Sequence, residues 1–141
     1  MGEHQGVVEV PEPVLRMMQD DAASRVLGIE LLSCAEGSAV TRMRVREDMV
    51  NGHGIAHGGL VFALADTAFA CACNSWGPVT VAAAAEIAFV APARLGDELR
   101  AEAAVRTRFG RTGIYDVTVR RGGEVVAEFR GRSSTLRDGT P

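Results

Sequence analysis

The chain has 141 residues, a single-domain length, and its 47% hydrophobic and 23% charged residues give enough apolar mass for one core without the bias that keeps a chain disordered. A formal charge of -3 argues against a nucleic-acid binder, whose affinity comes mainly from basic side chains neutralising phosphates. The charge is unevenly divided: residues 1–93 hold five Arg against 11 acidic side chains, whereas residues 94–137 hold ten Arg against six, which suits a small phosphorylated ligand. No Lys is present, which excludes a lysine Schiff base and a phosphate-loop lysine.

Residues 1–10 and 137–141 are expected to be flexible ends. Pro11 and Pro13 introduce a helical segment running to about Leu27, with Val14, Leu15, Met18 and Ala22 at helical spacing. Residues 28–35 and 38–46 predict two strands around a turn at Glu36 and Gly37. In the second, Thr41, Met43 and Val45 alternate with Arg42, Arg44 and Arg46.

A loop rich in glycine and histidine, Asn51–His57, precedes an apolar helix that begins at about Gly58 and stops near Gly77 and Pro78. Its run from Leu60 to Cys73 is too short to cross a membrane. The run is apolar all round, so its far side must be covered, either by a sheet that wraps round it or by a second subunit, and both are expected. Residues 79–90 are almost wholly small or apolar, as in a strand covered on both faces. Pro92 and Gly96 mark the turn that follows, residues 98–109 and 111–120 alternate, Gly122-Gly123 supplies a two-residue hairpin turn, and 124–133 close the sheet; consecutive strands joined by short turns are expected to pair antiparallel. The predicted class is α+β, one long helix against a curved antiparallel sheet of about six strands.

The three cysteines, Cys34, Cys71 and Cys73, are an odd number and no signal-like stretch opens the chain, so a reducing cytoplasm is the expected location. Cys71 and Cys73 point to different faces of the helix and are expected to be inert core thiols. His53 and His57 have a metal-like spacing only on a helix, which the surrounding glycines oppose, so no metal site is expected.

Asp66 carries the most chemical information. It is flanked by Leu64, Ala65, Ala68 and Phe69, where an unpaired carboxylate is costly and desolvation raises its pKa toward that of a useful base. The bland alternative is a structural carboxylate held by backbone, by Thr67 or by an Arg. The helix starts at His57-Gly58-Gly59 with none of the usual capping residues, which leaves backbone donors for a ligand carbonyl, or else marks a plain turn. Gly58 and Asp66 lie about 12 Å apart along the helix axis. They cannot serve one carbonyl from one chain, so if both act, two antiparallel helices from two subunits must meet.

The segment Asn51-Gly-His-Gly-Ile-Ala-His-Gly-Gly-Leu-Val-Phe-Ala-Leu-Ala-Asp66-Thr-Ala-Phe-Ala resembles the hot-dog-fold acyl-CoA thioesterases, and among them the PaaI type. The likeness continues through Cys71–Ser75, Phe89–Gly96, Thr112–Asp116 and Phe129–Gly131, covering residues 22 to 135. It implies a single hot-dog domain over residues 1–141, a homodimer that pairs into a homotetramer, and hydrolysis of phenylacetyl-CoA or its ring-hydroxylated relatives in phenylacetate catabolism. No metal or redox cofactor is implied, coenzyme A being part of the substrate, and neither nucleic acid nor membrane is an expected partner.

Carried over from that resemblance, Asp66 is the nucleophile or the base that activates water, the Gly58 N–H polarises the carbonyl, Asn51 places the carbonyl or the water, and His57 with Gly59 shapes the loop. Ala82 departs from relatives that have a Ser or Thr there, which leaves Thr67 or Thr80 to position water. Phe62, Phe69 and Phe89 are candidate walls for an aromatic ring, and Arg108 and Arg111, flanking Gly110, are candidate contacts for the CoA phosphates. The competing functions are a hot-dog hydratase or dehydratase using His57, and an acyl-CoA sensor without turnover.

Overall fold

The computed structural model describes residues 9–138; residues 1–8 and 139–141, which hold most of the two ends expected to be flexible, lie outside the described residues. The chain runs α1 (Glu12–Gln19), α2 (Ala22–Leu27), β1 (Glu30–Ala35), β2 (Ser38–Arg44), a 3-10 turn (Glu47–Met49), α3 (Gly58–Asn74), β3 (Thr80–Phe89), β4 (Glu98–Phe109), β5 (Thr112–Arg121) and β6 (Glu124–Thr135). The six strands form one antiparallel sheet in the order β1-β2-β4-β5-β6-β3. With α3 packed on it, this is the expected α+β hot-dog architecture.

Alternation decides which strand faces meet the helix. Met43 on β2, Leu99, Ala101 and Ala103 on β4, Val117 and Val119 on β5, and Ala127 and Phe129 on β6 are buried against Leu64, Ala65, Ala68, Phe69 and Ala72 of α3. Phe69 is the centre of this contact, with ring centroids 5.5 Å from Tyr115 and 5.7 Å from Phe129. A Cβ at Gly131 would lie 2.7 Å from that ring, so glycine on β6 is what lets α3 approach the sheet here. Burying such a side chain contributes about 1.5–3 kcal/mol.

Three expectations are corrected. The N-terminal helical segment is two helices, because Asp21 leaves helical geometry and caps α2, accepting the Ser24 N–H at 2.9 Å. Residues 79–90 are not covered on both faces within the chain: β3 is an edge strand, with Ala82 to Glu86 exposed and Phe89 and Val90 at 57% and 59% exposure. Finally, β3 does not pair with the next strand. It pairs with β6, while residues 90–97 cross the end of the sheet, tied by Val90 N–H and Ala91 N–H to the Val126 carbonyl (2.8 and 3.2 Å) and by Val45 N–H to the Asp97 carbonyl (2.9 Å).

The sheet also stops short of enclosing α3. Gly59, Phe62, Ala63, Asp66 and Ala70 recur at helical spacing and stay exposed or half-buried, forming one open stripe along the helix.

Candidate active site

The N–H groups in the first turn of α3 can be accounted for one by one. His57 is the N-cap, and its imidazole Nδ1 accepts the Gly59 N–H at 2.9 Å. The Leu60 and Val61 N–H groups both reach the His57 carbonyl, at 2.9 and 3.3 Å. Among the described residues the Gly58 N–H alone in this turn has no partner. The expectation of an uncapped helix start is therefore corrected: histidine does the capping, and it leaves a single donor, the one assigned to Gly58.

Asn51 supplies a second donor. Its side-chain oxygen accepts the N–H groups of His53 (2.9 Å) and Ile55 (3.3 Å), while its backbone N–H bonds the Ile55 carbonyl at 2.8 Å. The two accepted N–H groups identify which terminal atom is oxygen, so the Nδ2 amide is left uncommitted among the described residues. Ala56 N–H to the Ala93 carbonyl (2.7 Å) and His57 N–H to the Met49 carbonyl (2.8 Å) then hold the whole loop in place.

Asn51 and Gly58 open into one cavity of about 450 Å³, walled by Val61, Phe89, Val90 and Val126 among others. The Phe89 ring lies directly over Gly58, where an added Cβ would come within 2.9 Å of it. Two residues with uncommitted neutral donors on one cavity with apolar walls suit the stabilisation of charge developing on a carbonyl oxygen.

Asp66 sits on the open stripe two turns along α3, half-buried. Burial, and then the negative charge of Asp21, push its carboxyl above the ordinary carboxylate range, and no cation among the described residues offsets them. Asp66 does not line the Gly58 cavity, as the helical separation requires.

The other sequence candidates are placed as follows. Phe89 joins the cavity; Phe62 is half-buried on the open stripe, 5.2 Å from Phe129; Phe69 is core. Thr67 is buried, and its hydroxyl meets Ser24 Oγ at 3.0 Å. Thr80 is also buried, donating to the Pro78 carbonyl at 3.0 Å and meeting Thr135 Oγ1 at 3.1 Å. Arg108, Gly110 and Arg111 line a separate polar cavity of about 120 Å³ beside the C-terminal end of α3, where the Arg108 guanidinium lies 3.8 Å over the Trp76 ring. Sequence reasoning overlooked Asp21 as a charge acting on Asp66 and Ser24 as the partner of Thr67, although Asp21-Ala-Ala-Ser24 is a helix-start pattern.

A long helix on an antiparallel sheet, with free donors at Asn51 in the preceding loop and at Gly58 and a desolvated carboxylate on the helix, is an arrangement suited to hydrolysing activated acyl groups. The chain belongs to the thioesterase superfamily, whose family model matches residues 53–128, and it is a thioester hydrolase of the PaaI-like acyl-CoA type. It is similar to the acyl-coenzyme A thioesterase PaaI of Escherichia coli strain K12, at 48% identity over 85% of this chain and 86% of that protein. The solved structure of the E. coli PaaI protein from the phenylacetic acid degradation operon superposes with a TM-score of 0.85, covering 91% of this chain and 96% of that one at 42% identity. Human acyl-coenzyme A thioesterase 13 is 34% identical over 75% of this chain and 79% of its own. The structure of smu.793 from Streptococcus mutans, bound to acetyl CoA, matches at 25% identity and a TM-score of 0.73 over 77% of this chain and 88% of that one.

No helix among the described residues is long and apolar enough to cross a membrane.

Proposed function

We propose that the chain hydrolyses arylacetyl-CoA thioesters, phenylacetyl-CoA and its ring-hydroxylated relatives, to the free acid and CoA in phenylacetate catabolism. The observation that carries this reading is that Gly58 and Asn51, each with an uncommitted donor, line one apolar cavity. About 450 Å³ lies within the range of small-molecule sites, roughly 300–1,000 Å³. Phe89, Val61 and Val126 suit an aromatic ring, and the likeness to the PaaI protein of the phenylacetic acid degradation operon supports the same substrate class.

In this reading Gly58 and Asn51 receive the carbonyl oxygen. Asp66 of a second copy attacks the carbonyl carbon or takes a proton from the water that does; the C–S bond then breaks and the CoA thiolate leaves to be protonated, and in the first case water hydrolyses the resulting anhydride to the free acid and restores the Asp66 carboxylate. The two-chain site is supported by the open stripe around Asp66 and the exposed apolar edge of β3, surfaces that a second copy of this chain would cover. A homodimer, pairing again into a homotetramer, is the proposed assembly. Antiparallel helices would also set the partner's Arg108 and Arg111 about 12 Å past the carbonyl along the helix axis, on the side where a CoA tail can leave. His57 and Gly59 hold the loop that carries both donors. The free cysteines and the acyl-CoA substrate support a cytoplasmic site of action.

His57 uses Nδ1 to cap α3, which tells against a hydratase that would need the imidazole for proton transfer. The deciding experiment is CoA thiol release from phenylacetyl-, hydroxyphenylacetyl-, benzoyl- and hexanoyl-CoA by wild type and Asp66→Asn. Turnover highest on the arylacetyl thioesters and abolished in the variant is expected. CoA binding without release from any of them would replace this reading with an acyl-CoA sensor.

A further inference from the structure

We propose that Asp21 is a positioning residue for the Asp66 carboxylate, anchoring α3 at Thr67 through Ser24 and setting a second negative charge beside the reacting group. The proposal rests on the reading of Asp66 as nucleophile or base.

The connection is a directed chain of hydrogen bonds. Asp21 Oδ1 accepts the Ser24 N–H at 2.9 Å and Oδ2 accepts the Ser24 hydroxyl at 2.7 Å. An ionised carboxylate can only accept, and a serine hydroxyl has one proton to give. Ser24 Oγ must therefore receive the Thr67 hydroxyl across their 3.0 Å contact. The order Thr67 to Ser24 to Asp21 is fixed by proton counting, and both hydroxyls are almost fully buried, at 8% and 4% residue exposure.

Thr67 directly follows Asp66. Consecutive residues on a helix point about 100° apart, so fixing the Thr67 hydroxyl toward α2 fixes the rotation of α3 and presents Asp66 on the open stripe. Thr67 has no proton left for a substrate, so its role in this chain is as an anchor.

The electrostatics run in the same direction. Among the described residues, Asp21 on α2 is the charge acting on Asp66, and Cys73 on α3 in turn feels the Asp66 charge. No Arg or other acidic group from α1 or from the strands packed on α3 acts on it. A like charge disfavours ionised Asp66 and makes its carboxylate a stronger base.

The test is the pH profile of kcat/KM, measured on whichever acyl-CoA of the panel above wild type turns over fastest. Asn and Ser cap helices about as well as Asp, so Asp21→Asn and Asp21→Ser remove the charge while keeping α2. Both are expected to move the acid limb to lower pH: Asp21 raises the Asp66 pKa, and without it Asp66 stays ionised in more acidic solution. Ser24→Ala severs the tie while keeping the charge, and is expected to lower kcat with little change in KM, with Ser24→Thr restoring it. Acid limbs of both Asp21 variants that superimpose on wild type would overturn the proposal. Full activity in Asp66→Asn would instead overturn the reading beneath it, and the two failures are thereby distinguished.

Discussion

The imidazole Nδ1 of His57 accepts the N–H of Gly59 at 2.9 Å, satisfying the second helical residue while the N–H of Gly58 before it stays uncommitted among the described residues. Asp or Ser at the cap would reach the N2 or N3 N–H in the same way, so the free donor at Gly58 follows from its place as the first helical residue.

Gly58 can be tested at its N–H alone. It is the first helical residue, a position where proline is well tolerated, and His57 with ψ of 130° already has the conformation that precedes proline. Gly58→Ala brings a Cβ against the Phe89 ring but keeps the N–H; Gly58→Pro brings the same carbon and loses it. The expected outcome is a kcat for the proline variant about 10²–10³ below that of the alanine variant, the cost of one oxyanion donor, with similar far-UV circular dichroism.

Asn51→Asp keeps an oxygen to accept the His53 and Ile55 N–H groups and replaces the Nδ2 donor with a charged acceptor. The loop is expected to persist, with Tm near wild type, while kcat falls by about 10²–10³ or more. Steady-state kinetics beside a thermal melt checks both parts.

Asp66 carries a cost in stability. Its pKa is raised on folding by burial and by Asp21. The native state therefore holds this proton more tightly than the unfolded chain, so this group's contribution is intact below the ordinary carboxylate range and is lost as pH rises through the raised value. Asp66→Asn is expected to raise Tm at neutral pH and to gain little in acid, as read by thermal melts across that window.

The three thiols are buried, and burial pushes Cys34 up to about 11, Cys73 up to about 12 and Cys71 higher still. A thiol reagent at mild alkaline pH is expected to modify none of them in the native protein and all three in denaturant. Fast labelling of the folded chain would contradict this packing.

Much of the fold was legible because its signals are local. Alternation on β2, β4 and β5 put Met43, Leu99 and Val117 inside, and Gly122-Gly123 marked the β5–β6 turn. The place of β3 was not legible, since an apolar strand buried in a sheet and one awaiting a second chain have the same composition, and its pairing with β6 is a long-range choice. Asp66, Gly58 and Asn51 are proposed from residue type and resemblance, yet the division of labour between Asn51 Oδ1 and Nδ2 depends on loop geometry that no spacing encodes. The Asp21–Ser24–Thr67 tie joins residues 43 apart in sequence and lay beyond any local pattern.

The central claim is that one site draws Gly58 from one chain and Asp66 from another. Gly58→Pro and Asp66→Asn, each inactive alone, should complement when co-expressed, because a mixed dimer holds one site with both residues intact. With random assembly the mixture is expected to recover about a quarter of wild-type activity. A mixture no more active than its two components, with mixed dimers present by native mass spectrometry, would contradict the account.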